Sequence, residues 1–147
     1  MGCDIHSYVE YRNKDTGKWN MVRIYVPYCW EPERLDLVEP YNGRNYELFS
    51  MLAGVRGFAT PIAESRGIPQ DASDGVRCEY ESAEDWIHTP SWFTLAELRV
   101  ASKDKKTYNK DERSYLKGFI SGIDFMLGAS WHWVDDIDAR VVFWFDN

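Results

Sequence analysis

The sequence predicts an α+β fold: a small, mostly antiparallel sheet that includes the N- and C-terminal strands, helices packed on one face, and a long irregular middle region. Residues 3–11 alternate between two faces with period two, which is typical of a half-buried strand. Residues 114–127 carry a broad apolar stripe at helical spacing. Residues 139–145 are β-branched and aromatic with apolar positions on both faces, which indicates a central strand. The length of 147 residues predicts a single domain, 1–147.

The first half contains a predicted hairpin and a predicted helix. A turn signal, Asp-Thr-Gly at 15–17, precedes residues 19–26, which we expect to pair with the first strand. Three prolines interrupt residues 27–40, so this stretch is expected to be irregular. Residues 46–53 have helical spacing, and Gly54 suits the C-terminal cap of that helix.

The second half opens with a loop-rich stretch. Glycines and prolines punctuate residues 55–92, within which we expect one short, mostly polar helix at 74–84. A loop-rich stretch of this length in a compact domain is often functional. Thr94 and Glu97 have capping-box spacing, which predicts a short helix that ends near Ala101.

The composition excludes several classes of protein. Seventeen Lys and Arg against 24 Asp and Glu give a net charge of −7, and aromatic residues make up 16% of the chain. The aromatic content excludes intrinsic disorder, and the negative charge argues against general nucleic-acid binding or attachment to anionic membranes. Without an apolar run of ~18 residues, a signal-peptide pattern or a CxxC motif, the sequence predicts a cytoplasmic protein.

Short segments spread along the whole chain carry a family resemblance. They are Met1-Gly2-Cys3-Asp4-Ile5-His6, Arg44-Asn45-Tyr46, Leu52-Ala53-Gly54-Val55-Arg56, Arg66-Gly67-Ile68-Pro69 with Asp71 and Ser73, His88, Ser91-Trp92, Thr94-Leu95-Ala96-Glu97-Leu98 and Val142-Phe143-Trp144-Phe145-Asp146-Asn147. Together they resemble a family of small proteins of tailed phages and prophages. The resemblance implies a phage-encoded accessory protein that acts in the cytoplasm of an infected bacterium, and it suggests no reaction.

Asp4 and His6 form the first candidate site. At positions i and i+2 of a strand, their side chains point to the same face of the sheet. A carboxylate and an imidazole placed together could bind a divalent metal or act as an acid–base pair, and His88 could close over them as a third metal ligand. The alternatives are a ligand-binding role and a structural one, in which both side chains pin the first strand to loop backbone.

Three arginines next to glycines form the second candidate site. Arg44, Arg56 and Arg66 carry guanidinium groups that match phosphate and carboxylate oxygens, and adjacent glycines let backbone N–H groups approach an anion. This pattern predicts a local anion site in an otherwise acidic protein. The alternative is that each arginine pairs with a nearby carboxylate, such as Glu64, and orders the loops.

Aromatic side chains in the irregular region supply the third signal. Exposed rings can stack on a nucleobase or anchor a partner protein, although most aromatic residues of any domain lie in its core. Tyr46 and Trp92 lie next to the arginine-containing segments, so we include them among the candidate ligand-binding residues.

Three functions remain open on these residues. The favoured one is a binding protein for a small phosphorylated or nucleotide-derived ligand, which would sequester a signal of host antiviral defence. One alternative is a divalent-metal-dependent phosphoesterase or nucleotide hydrolase that uses Asp4, His6 and His88. The other is a protein–protein inhibitor of a host defence factor. We expect a homo-oligomer, because small sequestering proteins commonly build ligand sites at subunit interfaces. The sequence indicates no certain cofactor, and a divalent metal belongs only to the alternative that uses Asp4, His6 and His88.

Overall fold

The computed structural model describes residues 2–147, which form two antiparallel sheets and four α-helices. The strands are β1 (Asp4–Arg12), β2 (Trp19–Met21), β3 (Tyr25–Tyr28), β4 (Glu31–Leu37), β5 (Ile87–Thr94) and β6 (Ala139–Asp146). The helices are α1 (Tyr46–Ala53), α2 (Asp74–Ala83), α3 (Leu95–Ala101) and α4 (Lys110–Ala129). The main sheet has the order β2-β1-β6-β5, and β3 and β4 form a separate hairpin. The predicted α+β class is therefore confirmed.

The two terminal strands pair along their whole length at the centre of the main sheet. Asp4 lies opposite Asp146 and Tyr11 lies opposite Ala139 in an antiparallel register. Every residue of β6 except Asp146 is buried. The prediction of a central strand covered on both faces is confirmed, because alternate residues of an apolar strand face opposite sides of the sheet.

Two apolar cores cover the two faces of the sheet. Phe143 and Phe145 belong to the larger core, which contains buried residues of α1, α3 and α4. Val142 and Trp144 belong to a smaller core that contains Val76 of α2. The expectation of helices on one face thus holds for three of the four, and α2 covers the opposite face because β6 is apolar on that side too.

The predicted strand at 19–26 divides into two strands in different sheets. β2 ends at Met21, and residues 25–28 pair with residues 31–37 instead of with β1. The expectation of an irregular stretch at 27–40 is therefore wrong for much of it. Proline is tolerated there because both strands of a two-stranded sheet are edge strands with an unpaired side.

The loop-rich stretch at 55–92 contains the predicted helix α2 and also most of β5, which the sequence did not predict. Strand β5 lies at the edge of the main sheet, and its register shifts between His88 and Ser91. A bulge accommodates the extra residues and Pro90, which lacks an N–H for the ladder. The proline and the bulge hide the strand from a search for period-two alternation.

The caps of the helices explain where they begin. Thr94 and Glu97 form the predicted capping box at the start of α3. Helix α4 begins at Lys110, four residues before its predicted start, because Asn109 and Glu112 form a second capping box. The Asn109 side chain accepts a hydrogen bond from the Glu112 N–H at 2.8 Å, and the Glu112 carboxylate accepts one from the Asn109 N–H at 2.9 Å.

Candidate functional site

Five of the predicted site residues surround one end of the main sheet, where β1 begins and β6 ends. Asp4 and His6 lie in β1, opposite Asp146 and Trp144 of β6, respectively. His88 is the second residue of β5, opposite Phe145 of β6. Arg44 precedes α1, and Arg56 lies in a 3-10 helical turn, Val55–Gly57, that follows it. The fold therefore gathers residues that are far apart in sequence.

Asp4 and Arg44 form a two-pronged ion pair on the surface. The Arg44 Nε and Nη2 each donate a hydrogen bond of 2.9 Å to a different carboxylate oxygen of Asp4. Both side chains are about half exposed. The pair joins the loop before α1 to the start of β1. For Arg44, the structure therefore agrees with the second hypothesis, in which the arginine pairs with a carboxylate and orders a loop, and Asp4 supplies that carboxylate.

His6 lies between two carboxylates. Its Nε2 is 2.6 Å from an oxygen of Asp146, and its Nδ1 is 3.9 Å from an oxygen of Glu39. Glu39 and then Asp146 raise the pKa of His6 to about 9, against the opposing effect of burial. The ring is consequently a cation at neutral pH. Each ring nitrogen of this cation carries hydrogen and faces one of the two carboxylates.

The predicted metal ligands do not converge. Residues directly opposed in adjacent strands share a face, so His6 faces the side of Trp144 and His88 faces the side of Phe145. Among residues 2–147, no three His, Cys, Asp or Glu side chains are placed to hold a metal ion. The set Asp4, His6 and His88 is corrected accordingly: the first two make structural ion pairs and the third lies across the sheet.

Arg56 and Tyr46 pack together beside this end of the sheet. The guanidinium carbon of Arg56 lies 4.8 Å from the Tyr46 ring centroid. The Tyr46 hydroxyl accepts a hydrogen bond from the backbone N–H of Cys3 at 3.3 Å, which fixes the ring. The ring also stacks on Phe58, with centroids 6.5 Å apart and planes 13° apart. Arg56 thus lies against an aromatic pair whose outer member, Phe58, is exposed.

An open cleft of about 430 Å³ separates the turn after α1 from the start of β5. We name it the Arg56–His88 cleft; Val55, Arg56, His88, Thr89 and Asn147 line it. The His88 ring is held by the Thr89 hydroxyl, 2.9 Å from Nδ1, and by the Asn147 side-chain oxygen, 3.3 Å from Nε2. The cleft therefore combines a guanidinium, an imidazole, a hydroxyl and an amide.

Two residues of the Arg56–His88 cleft have unusual backbone conformations. Arg56 has φ of 69° and Thr89 has φ of 53°, in the left-handed region that favours glycine. A branched residue such as Thr is strained there. Conformations of this kind cost of order 1–3 kcal/mol each and cluster at ligand sites, where the surrounding structure maintains them. Two such residues facing one cleft favour a functional role for it.

Arg66 and Trp92 lie apart from the Arg56–His88 cleft. The Arg66 guanidinium donates hydrogen bonds to both Glu97 carboxylate oxygens and a third, of 3.2 Å, to the Trp92 carbonyl. Its central carbon lies 4.8 Å from the Trp92 ring centroid. The structure therefore does not bring the three predicted arginines to one place, and Arg66 orders the segment before α2 against β5.

Sequence reasoning missed an alternating stack of arginines and tryptophans, which we name the Arg–Trp ladder: Arg12, Trp19, Arg140, Trp92 and Arg66. The Arg140 guanidinium lies 3.8 Å from the Trp19 ring centroid and 5.6 Å from that of Trp92. Arg12 lies on Trp19 at 5.3 Å, and Arg66 lies on Trp92. The ladder lines a second open cleft of about 560 Å³.

Carboxylates neutralise the arginines of the ladder. Arg140 donates to Glu10 at 2.6 Å and to Asp71 at 2.9 Å, Arg12 pairs with Asp138, and Arg66 pairs with Glu97. The guanidinium groups of this second cleft are therefore already engaged by carboxylates. A signal did exist in the sequence: an arginine inside an apolar central strand requires a buried partner, and Glu10 is the matching charge in β1.

Within the described residues, none of the helices combines the length and apolar character needed to cross a bilayer. Comparisons of the chain with family models, with curated protein sequences and with solved structures find no match.

Proposed function

We propose that the Arg56–His88 cleft binds a small phosphorylated or nucleotide-derived ligand. The observation that carries the proposal is the convergence of Arg56, His88, Thr89 and Asn147 on one open cleft, with unusual φ values at two of them. Guanidinium and hydroxyl groups donate hydrogen bonds to phosphate oxygens, and an arginine does so with two parallel bonds.

The aromatic pair beside the cleft supplies a surface for the organic part of such a ligand. Phe58 is exposed and stacks on Tyr46, and a shallow groove of about 320 Å³ runs past both rings. Base–aromatic stacking contributes about 1–3 kcal/mol per base and accepts any base, because every base has a π face. A nucleotide could therefore place its phosphate at Arg56 and its base on Phe58.

The biological part of the proposal comes from the resemblance to proteins of tailed phages. In the cytoplasm of an infected bacterium, the ligand would be a nucleotide-derived signal of host antiviral defence. Because His6 and His88 face opposite sides of the sheet, we favour sequestration of that signal over its hydrolysis. The protein would then lower the free concentration of the signal by holding it unchanged.

Mass spectrometry of small molecules released from the heat-denatured protein tests the proposal directly. We expect an intact nucleotide-type compound, and calorimetric titration of a panel of linear and cyclic nucleotides would then give its affinity. Arg56→Gln should weaken that binding at least about tenfold, or ~1.4 kcal/mol. Arg34→Gln is the matched control, because Arg34 also lies on a tyrosine, 4.7 Å from the Tyr28 ring centroid, but belongs to the β3–β4 hairpin and does not line the cleft. Equal binding by both variants would contradict the proposal.

A second candidate function, inhibition of a host protein, is favoured by a different surface. Phe125, Trp131 and Trp133 are large, exposed aromatic residues around the C-terminal end of α4, and Trp131 has φ of 61°. Exposed tryptophans are typical anchors of protein interfaces.

Phage plating on bacterial strains that each carry one nucleotide-signalling defence system distinguishes the two functions. If the ligand is sequestered, Arg56→Gln abolishes protection of the phage and Trp131→Ser with Trp133→Ser preserves it. If a host protein is inhibited, the two outcomes are reversed.

A further inference from the structure

The aromatic groove beside the Arg56–His88 cleft contains polar groups that the proposed function does not use. We name it the Tyr46–Phe58 groove, and its volume of about 320 Å³ is lined by Arg44, Asn45, Tyr46, Glu47 and Phe58. Arg56 lines the cleft and lies 4.8 Å from the Tyr46 ring centroid, so the cleft and the groove adjoin. A ligand whose phosphate binds Arg56 can therefore extend its base into the groove.

The carboxylate of Glu47 is the unpaired charge of the Tyr46–Phe58 groove. Arg44, the other charged residue there, donates two hydrogen bonds to Asp4 and is neutralised by it. Glu47 is exposed, and within residues 2–147 its side chain forms neither a hydrogen bond nor an ion pair. Its two oxygens are therefore free to accept hydrogen bonds from a ligand.

Asn45 supplies a donor to the same groove. Its Oδ1 accepts a hydrogen bond of 3.0 Å from the Leu48 N–H and caps α1, which fixes the orientation of the side-chain amide. The Nδ2 of Asn45 has no acceptor among the described residues. The groove thus presents the acceptor oxygens of Glu47 and an amide donor beside the exposed ring of Phe58.

One common nucleobase matches this set of groups. An ionised carboxylate only accepts hydrogen bonds, so it selects a base edge that has two neighbouring N–H donors. Guanine has these donors at N1 and N2, with the acceptor O6 next to them. Adenine and cytosine place an acceptor nitrogen beside their amino group, and uracil has a single N–H between two carbonyls. Each of these three edges would leave a polar group unpaired against the carboxylate, which weakens binding.

We propose that the Tyr46–Phe58 groove selects guanine, with Glu47 as the specificity-determining residue. The inference rests on the proposed function, because it assigns the base of the ligand whose phosphate binds Arg56. The guanine ring stacks on Phe58, the Glu47 carboxylate accepts hydrogen bonds from N1 and N2, and the Asn45 Nδ2 donates to O6. Stacking accepts every base, whereas a site built to hydrogen-bond one edge rejects bases that lack it.

The position of Glu47 also has a structural explanation, which a control has to separate from base recognition. An acidic residue in the first turn of a helix interacts favourably with the helix dipole. Asp111 occupies the same position in α4: it is exposed, it lies two residues after an asparagine N-cap, and it does not line the groove. Asp111→Asn is therefore the matched control for Glu47→Gln.

Calorimetric titration of the full chain with the monophosphates of guanosine, inosine and adenosine (GMP, IMP and AMP) tests the inference. The three share ribose and phosphate; IMP lacks the N2 amino group of GMP, and AMP has an acceptor at N1. We expect the native protein to bind GMP at least about tenfold more tightly than AMP, with IMP between them. Glu47→Gln should weaken GMP binding about tenfold and leave AMP binding within about twofold, whereas Asp111→Asn should leave all three within about twofold.

Arg56→Gln separates base selection from the proposed function. It should weaken GMP and AMP by the same factor, because Arg56 binds the phosphate that both contain. If the native protein bound GMP and AMP equally and Arg56→Gln weakened both, guanine selection would be overturned and the proposed function would stand. Equal effects of Glu47→Gln on GMP and AMP would also overturn the role of Glu47. If none of the three nucleotides bound, or if Arg56→Gln had no effect, the proposed function would fail together with this inference.

Discussion

The guanidinium of Arg140 in β6 lies 3.8 Å from the ring centroid of Trp19 in β2, two strands away across the main sheet. Arg140 and its carboxylate partner Glu10 are both almost completely buried, at 3% and 0% exposure. Glu10 also accepts a hydrogen bond of 2.7 Å from the backbone N–H of Ser73, just before α2. One buried ion pair thus links β1, β2, β6 and the start of α2.

Arg140→Leu should destabilise the protein by about 3–5 kcal/mol, because it leaves the buried Glu10 carboxylate without its charge partner. Urea denaturation of the native and variant proteins measures the difference. Lys117→Leu on the exposed face of α4 removes the same charge and should leave stability unchanged. A loss below about 1 kcal/mol for Arg140→Leu would show that Glu10 is satisfied in another way.

The stability of the protein should fall as the pH rises from about 6.5 to above 9. Glu39 and then Asp146 raise the pKa of His6 to about 9 in the folded state, whereas the unfolded value is 6.5. A raised pKa stabilises the fold fully below the unfolded pKa, and this stabilisation disappears as the pH passes through the folded pKa. We expect the free energy of unfolding to fall by about 2 kcal/mol over this range. This figure already allows for the screening of the partly exposed ring by solvent.

The His6→Gln variant tests this origin of the pH dependence. Thermal unfolding between pH 6 and pH 10 should show a flatter profile for His6→Gln than for the native protein. Burial lowers the pKa of His132, so His132→Gln should retain the native profile above pH 7. An unchanged pH profile in His6→Gln would mean that another group causes the loss of stability at alkaline pH.

Two glycines of α4 should respond to alanine in opposite directions. A Cβ at Gly122 would lie 1.9 Å from the carbonyl oxygen of Pro40, whereas a Cβ at Gly118 meets no atom within 4 Å. Gly122→Ala forces α4 away from the segment that contains Pro40 and should cost about 1–3 kcal/mol. Gly118→Ala should stabilise by about 0.5–1 kcal/mol through helix propensity. If both substitutions changed the free energy of unfolding in the same direction, the close approach of Gly122 to Pro40 would be contradicted.

Thr89→Gly should preserve or increase stability while it weakens ligand binding. Glycine relieves the strain of the 53° φ angle, which costs of order 1 kcal/mol or more for Thr. The change also removes the hydroxyl that lies 2.9 Å from the His88 Nδ1. Thermal unfolding and calorimetric titration with the ligand recovered from the native protein measure the two effects. Marked destabilisation by Thr89→Gly would instead assign the Thr89 side chain a structural role.

Local patterns predicted the elements that depend on neighbouring residues. The alternation at the start of β1, the Thr94–Glu97 capping box and the Gly54 cap all appear in the structure as the sequence indicates. These signals work because a cap or a strand face is determined within a few residues. Strand β5 escaped prediction because Pro90 and the bulge interrupt its alternation.

The candidate site was predicted in part. Arg56 and His88 were both expected in a ligand site, and they line the same cleft. Thr89 and Asn147 were not expected, because neither a single threonine nor a single asparagine forms a chemical motif in the sequence. Their contribution becomes visible only when backbone conformation and distances are known.

The sequence by itself determined the α+β class, the pairing potential of the terminal strands and most of the helices, because period and capping are short-range properties. Only the tertiary structure decided which charges meet. Glu10 reaches Arg140 across 130 residues because the register of β1 against β6 places them opposite each other. The registers of β1 and of β5 against β6 place His6 opposite Trp144 and His88 opposite Phe145. The two histidines therefore face opposite sides of the sheet, because successive residues of a strand point to opposite faces.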